Sequence, residues 1–136
     1  MGGRQQRRKV LLAIRPGSPD RRLLASAQGL CQRLDADLDI LARAHEDQPL
    51  DGLESFMAGL RDAGIGYRLM FQPGIRRRDI VEYANARECI AALVIDSLHG
   101  WEQVAEDRGA DPWRRLACPL VTAIPVASGA DAGLAP

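Results

Sequence analysis

Four arginines and one short polar turn are the groups of this 136-residue chain best suited to hold an anion. Arg15 follows the first apolar run, Arg76, Arg77 and Arg78 stand together before a periodic segment, and Ser97-Leu98-His99-Gly100 follows the run Ile90 to Ile95. Guanidinium groups match carboxylate and phosphate oxygens, and glycine lets backbone amides approach a phosphate closely. His99 adds an imidazole that can move protons near neutrality. No Ser or Cys nucleophile with an acid partner is apparent beside it, so it reads as a polar surface residue. Arg15 reads as a strand-end arginine paired with a nearby acid. The arginine triplet falls at a helix N-terminus, where cations oppose the macrodipole by roughly a few tenths of a kcal/mol. Asp79 offsets part of that cost, and what remains admits a protein partner at Arg76, Arg77 and Arg78 beside the plainer reading of a solvated charge run.

The other reactive side chains have blander readings. Cys31, Cys89 and Cys118 are odd in number and far apart in apolar surroundings, which argues against a disulfide framework and for a reducing cytoplasm. Cys118, before Pro119, reads as a small apolar residue at a helix-to-strand junction. His45 and His99 lack ligand-type neighbours at helical or turn separation, so no metal site is expected. Trp101 and Trp113 read as packing residues around the loop after Ile95.

Lys9 to Ile14 (KVLLAI) has the unbroken apolar character of a strand buried on both faces. Ser18-Pro19 offers a helix cap and first position, and Leu23, Leu24, Ala27, Leu30, Cys31 and Leu34 follow at helical spacing. Asp39 to Ala44 is expected as the second strand. Leu50, Leu53, Phe56, Met57 and Leu60 mark a second helix closed at Ala63-Gly64, and Tyr67 to Phe71 a third strand. A third helix from Ile75 to Arg87 turns Ile80, Val81 and Ala84 to the core before the fourth strand, Ile90 to Ile95. A polar break from Asp96 to Asp111, a short helix from Pro112 to Ala117 and a strand from Leu120 to Val126 complete the series. Such alternation predicts an α/β three-layer sandwich around a five-stranded, mostly parallel sheet. Ligands of such sheets lie at the carboxyl ends of the strands, so a phosphate loop belongs after Ile95. Pro125 cannot donate to a ladder, which places the last strand at an edge or a strand end.

Residues 9–126 are expected to form the domain, with a disordered basic arm at residues 1–8 and a flexible tail at 127–136. Lys plus Arg, at 18, equal Asp plus Glu, at 18, so net charge gives no reason to expect DNA. No run has the apolar length of a membrane span, and no membrane insertion is expected.

Several segments together resemble the universal stress protein family over Lys9 to Val126. Lys9 to Ile14 with Gly17-Ser18 looks like its opening strand and turn, and Gly74-Ile75 to Ala84 like its glycine-led third helix. Ala92 to Ile95 with Ser97 to Gly100 is similar to its fourth strand and glycine turn, and Leu116 to Val121 to its closing segment. The resemblance implies an adenine nucleotide alpha hydrolase-like sheet and, in members that bind ATP, a Gly-x2-Gly-x9-Gly-Ser/Thr cradle after the fourth strand. Ser97 stands at the first glycine and Gly100 at the second, while Ala110 and Asp111 fall at the final pair. Asp111-Pro112 would cap the last helix with a carboxylate, occupying amides a phosphate needs and repelling its charge. The family's acidic residue at the end of the first strand is Arg15 here.

What the resemblance implies for this chain is therefore a domain with a degenerate nucleotide site, without cofactor and without catalysis, acting in stress response or regulation through protein contacts. The family's last strand commonly pairs across a two-fold axis, which implies a homodimer on Leu120, Val121, Thr122, Ala123 and Ile124. The alternative is a sensor of AMP, ATP or another phosphorylated ligand in a cleft of Arg15, Gly17, Ser18, Ser97, Gly100 and Asp111. An adenylating or hydrolytic enzyme of the related superfamily would need a longer phosphate loop than Arg15-Pro16-Gly17-Ser18. A response regulator would need acids where Arg15 and Gln72 stand, and the glycine fingerprint of NAD binding is absent.

Overall fold

Strand β1 (Lys9–Ile14) holds the centre of the sheet: Val10 to Ile14 are buried on both faces, which is why the segment carries no alternating polar residue. The computed structural model describes residues 7–15, 20–47, 50–102 and 111–123. Around β1 lie β2 (Asp37–Ala42), β3 (Tyr67–Phe71), β4 (Ile90–Ile95) and β5 (Leu120–Thr122), in the order β3-β2-β1-β4-β5. All four pairings are parallel, so each connection is a crossover that carries helical structure. The register shifts between Lys9 and Val10 against β4, leaving Ala91 as an extra residue in that strand. The observed architecture is the expected three-layer α/β sandwich.

One face is covered by α1 (Arg21–Leu34) and α2 (Leu53–Asp62). Leu23, Leu24, Ala27 and Cys31 of α1, with Leu53, Phe56 and Leu60 of α2, close on Val10, Leu12, Ile14, Leu38, Ile40 and Val94. The cap of α1 is Asp20, whose carboxylate accepts from the Arg22 amide at 2.6 Å, two residues beyond the expected Ser18. Asp is as good an acceptor as Ser, and Asp20 already has the extended backbone a cap requires. Ser18 and Pro19 lie outside the described residues. Past α2, Gly64 adopts the left-handed conformation (φ 75°) expected of it.

The opposite face carries α3 (Arg77–Asn85), the short α4 (Leu98–Glu102) and a 3-10 turn (Pro112–Arg115). Ile80, Val81 and Ala84 meet Leu11, Ala13, Leu41, Leu93 and Ile95, joined by Trp101 and Trp113. This face also buries charge. Asp39 of β2, 1% exposed, accepts from the Tyr83 hydroxyl at 2.8 Å and pairs with Lys9 at 3.5 Å. Arg68 donates to the same hydroxyl at 3.1 Å, and the Arg87 guanidinium lies 3.6 Å from the Tyr83 ring centroid. Burial and the bond to Asp39 push the Tyr83 phenol above its ordinary 10.0.

Several boundaries differ from expectation. β2 starts at Asp37 rather than Asp39, because the Asp37 carboxylate is satisfied by Arg7 at 3.1 Å and the Gly66 amide at 3.2 Å. Arg7 and Arg8, placed in the arm by sequence, are thereby tied to the sheet, the Arg8 carbonyl accepting from the Asp37 amide. α3 starts at Arg77 rather than Ile75, since the Asp79 carboxylate accepts from the Arg76 amide at 2.9 Å and fixes that residue as the cap. The expected polar break holds α4, and the expected helix at Pro112 is the tighter 3-10 turn ending at Arg115. β5 ends at Thr122; Ile124, Pro125 and Val126 lie outside the described residues.

Candidate functional site

The connections to β2 and β3 run over one face and those to β4 and β5 over the other, so the switch point of the sheet lies between β1 and β4. The first residue past β1 is Arg15 and the first past β4 is Asp96. Parallel pairing brings them together. The Arg15 Nε donates to Asp96 at 3.0 and 3.3 Å, and its Nη2 donates to the same carboxylate, a forked charge-assisted contact. The Arg15 side chain is 32% exposed and that of Asp96 14%, so the pair is half shielded from water.

Gly100, in the first turn of α4, completes the arrangement. Its amide donates to the Ser97 hydroxyl at 3.1 Å, closing the turn after β4. A Cβ at Gly100 would run into the Arg15 guanidinium, whose atoms are its three nearest neighbours. A side chain at this position would have to push the end of the Arg15 side chain aside. The structure thus unites Arg15, Ser97 and Gly100 with Asp96. The partnered reading of Arg15 holds, with Asp96 as the acid.

Asp111 has a different engagement. Its carboxylate caps the 3-10 turn by accepting from the Trp113 amide at 3.1 Å, with Pro112 at the first position as expected, and lies 3.8 Å from the Arg77 guanidinium. Gly17 and Ser18, the remaining cleft candidates, lie outside the described residues, as does Ala110. His99 is exposed.

The arginine triplet is dispersed. Arg76 is bonded to Asp79 at 3.2 Å, Arg77 is only 6% exposed and faces Asp111, and Arg78 alone is exposed. Trp101 is fully buried and Trp113 nearly so, in keeping with packing roles; the indole N–H groups of both are buried without a partner among the described residues. Burial raises the Cys31 thiol from 9.0 to about 12, with a further push from Asp37, and raises that of Cys118 as well. All three cysteines are free. Among the described residues no group of three or more His, Cys, Asp or Glu could hold a metal ion, and no helix is long and apolar enough to cross a membrane.

β5 stands at an edge of the sheet, bonded to β4 on one side. Leu120, Val121, Thr122 and Ala123 are half-buried, with Leu120 packed toward one core cluster and Val121 and Ala123 toward the other. Ile124, expected with them, lies outside the described residues. Sequence reasoning missed the Asp39–Tyr83 pair, although a carboxylate inside an apolar strand was its signal, and the burial of Arg77, for which the sequence offers none.

No family model matches the chain, and no curated protein does either. Among solved structures, a universal stress protein from Archaeoglobus fulgidus superposes with a TM-score of 0.52 at 13% identity, covering 83% of this chain and 92% of that one. At that identity the likeness is one of fold, and the chain has a universal stress protein-like fold.

Proposed function

We propose that this universal stress protein-like domain has given up ATP binding and serves as a non-catalytic cytoplasmic stress-response or regulatory protein, acting through protein contacts as a homodimer. The observation that carries the reading is the Arg15 guanidinium lying on Gly100 and held there by Asp96. A nucleotide entering between β1 and β4 must displace a half-buried, forked ion pair and then face the Asp96 carboxylate. The Asp111 carboxylate acts in the same direction, because it already holds an amide at the start of the last turn. Dimerisation rests on β5, a half-buried, largely apolar edge that a second copy would cover by strand pairing along Leu120, Val121, Thr122 and Ala123.

Calorimetric titration with ATP and with AMP tests the reading, alongside light scattering at micromolar protein. No binding at micromolar nucleotide and a dimeric mass are expected. Micromolar binding that Gly100→Val abolishes would replace this reading with that of a nucleotide sensor, and a monomeric mass would remove the dimer.

A further inference from the structure

A groove of about 390 Å³ runs between α3 and the 3-10 turn, away from the β1–β4 switch point and from the open edge of β5. Its lining includes Val81 and Pro112, both buried residues, with Arg78 on α3 and Arg115 on the turn. The walls are fixed to each other. The Asn85 side chain donates to the Arg115 carbonyl at 2.8 Å and accepts from the Ala117 amide at 2.8 Å, so the groove is bolted at the end of α3.

The two guanidinium groups set its chemistry. Arg78 and Arg115 are exposed and form no ion pair with a described residue, whereas Arg76 and Arg77 beside them are engaged by Asp79 and Asp111. Arg78 lies in the first turn of α3, where a cation works against the helix dipole, so helix stability does not account for it. Arg115 comes from a separate element and reaches the same groove. Glu82 lies on the same lining, so its described residues carry one net positive charge. An apolar floor with, on each wall, an arginine unpaired among the described residues suits an occupant that offers carboxylates to both walls and an aliphatic side chain to the floor.

We infer that this groove docks an acidic segment of a partner protein, with carboxylates on Arg78 and Arg115 and an aliphatic side chain over Val81 and Pro112. The inference rests on the proposal that the chain works through protein contacts and gives that proposal a place and a partner chemistry.

Fluorescence anisotropy of the full chain with a fluorescein-labelled peptide of repeating Glu-Glu-Leu-Leu tests it. Arg78→Glu and Arg115→Glu are each expected to weaken binding by about tenfold or more, as charge reversal at a contact does. Arg33→Glu, on the exposed end of α1, is the charge control and is expected to leave binding within about twofold. Circular dichroism melts of each variant confirm that the fold persists. Equal loss in all three variants, or no loss in the first two, overturns the inference. So does displacement of the peptide by millimolar inorganic phosphate, which would mark a small-anion site. ATP titration and light scattering on the same samples separate the two ideas: nucleotide binding by a protein that still loses the peptide on Arg78→Glu sinks the proposed function and leaves the groove standing.

Discussion

The two faces of the sheet are built on different terms. Under α1 and α2 the core is apolar throughout, from Val10 and Leu12 to Leu60. Beneath α3 the same sheet carries Asp39 with Lys9, Tyr83 and Arg68 around it, and Arg77 buried at the head of the helix. A carboxylate that far from water persists only with partners, and once paired it admits one position of α3 over the strands rather than several. Both faces supply apolar burial, and the second adds alignment. The switch point and the α3–turn groove both lie on elements of the second face, where misalignment would matter most.

Four measurements break or sharpen that contrast. Leu60→Ala, at a fully buried position of the first face, is expected to cost about 2–5 kcal/mol in urea unfolding with an unchanged m-value. A cost under about 1 kcal/mol would show that the first face is loosely packed. Asp39→Ala removes the acceptor of the Tyr83 hydroxyl and the partner of Lys9, and is expected to cost about 1–3 kcal/mol. Tyr83→Phe takes away the hydroxyl but keeps the ring under Arg87, and about 1 kcal/mol is expected. A Tyr83→Phe cost equal to that of Leu60→Ala would erase the distinction between the faces. The last effect is nil at neutral pH. Because the folded Cys31 thiol is raised from 9.0 to about 12, the unfolded chain loses that proton first, and stability falls as pH rises through that window. Urea midpoints between pH 8 and 11 should decline less steeply in Cys31→Ala; an identical slope would mean that the thiol is wetter than its burial indicates.

Legibility followed chemistry. β1, β3 and β4 are readable to the residue, because β1 and β4 are nearly unbroken apolar runs and β3 one interrupted by Arg68 alone, each cut off by charged or turn-forming residues. β2 was read two residues late, since Asp37 and Asp39 look like loop until their partners Arg7, Lys9 and Tyr83 are known. α4 is not legible, because its five residues offer only Leu98 and Trp101 as an apolar signal, too little for a helical period. Of the site, the pairing of Arg15 was readable in kind: parallel order makes the residues after β1 and β4 neighbours. The burial of Arg77 was not, as nothing in three consecutive arginines says which one turns inward.

The central place of β1 also decides what a shortened chain exposes. Its first neighbour, β2, follows after a single helix, but its second, β4, begins only at Ile90. A chain cut before Ile90 retains the residues of β3-β2-β1 and of α1, α2 and α3 but leaves one edge of β1 unpaired, and Leu11 and Ala13 lose Leu93, Ile95, Trp101 and Trp113 from their cluster. Unpaired strand edges and bare apolar faces are what holding chaperones recognise and what drives aggregation. A truncation before Ile90 therefore bares one edge of the strand on which the whole sheet is centred.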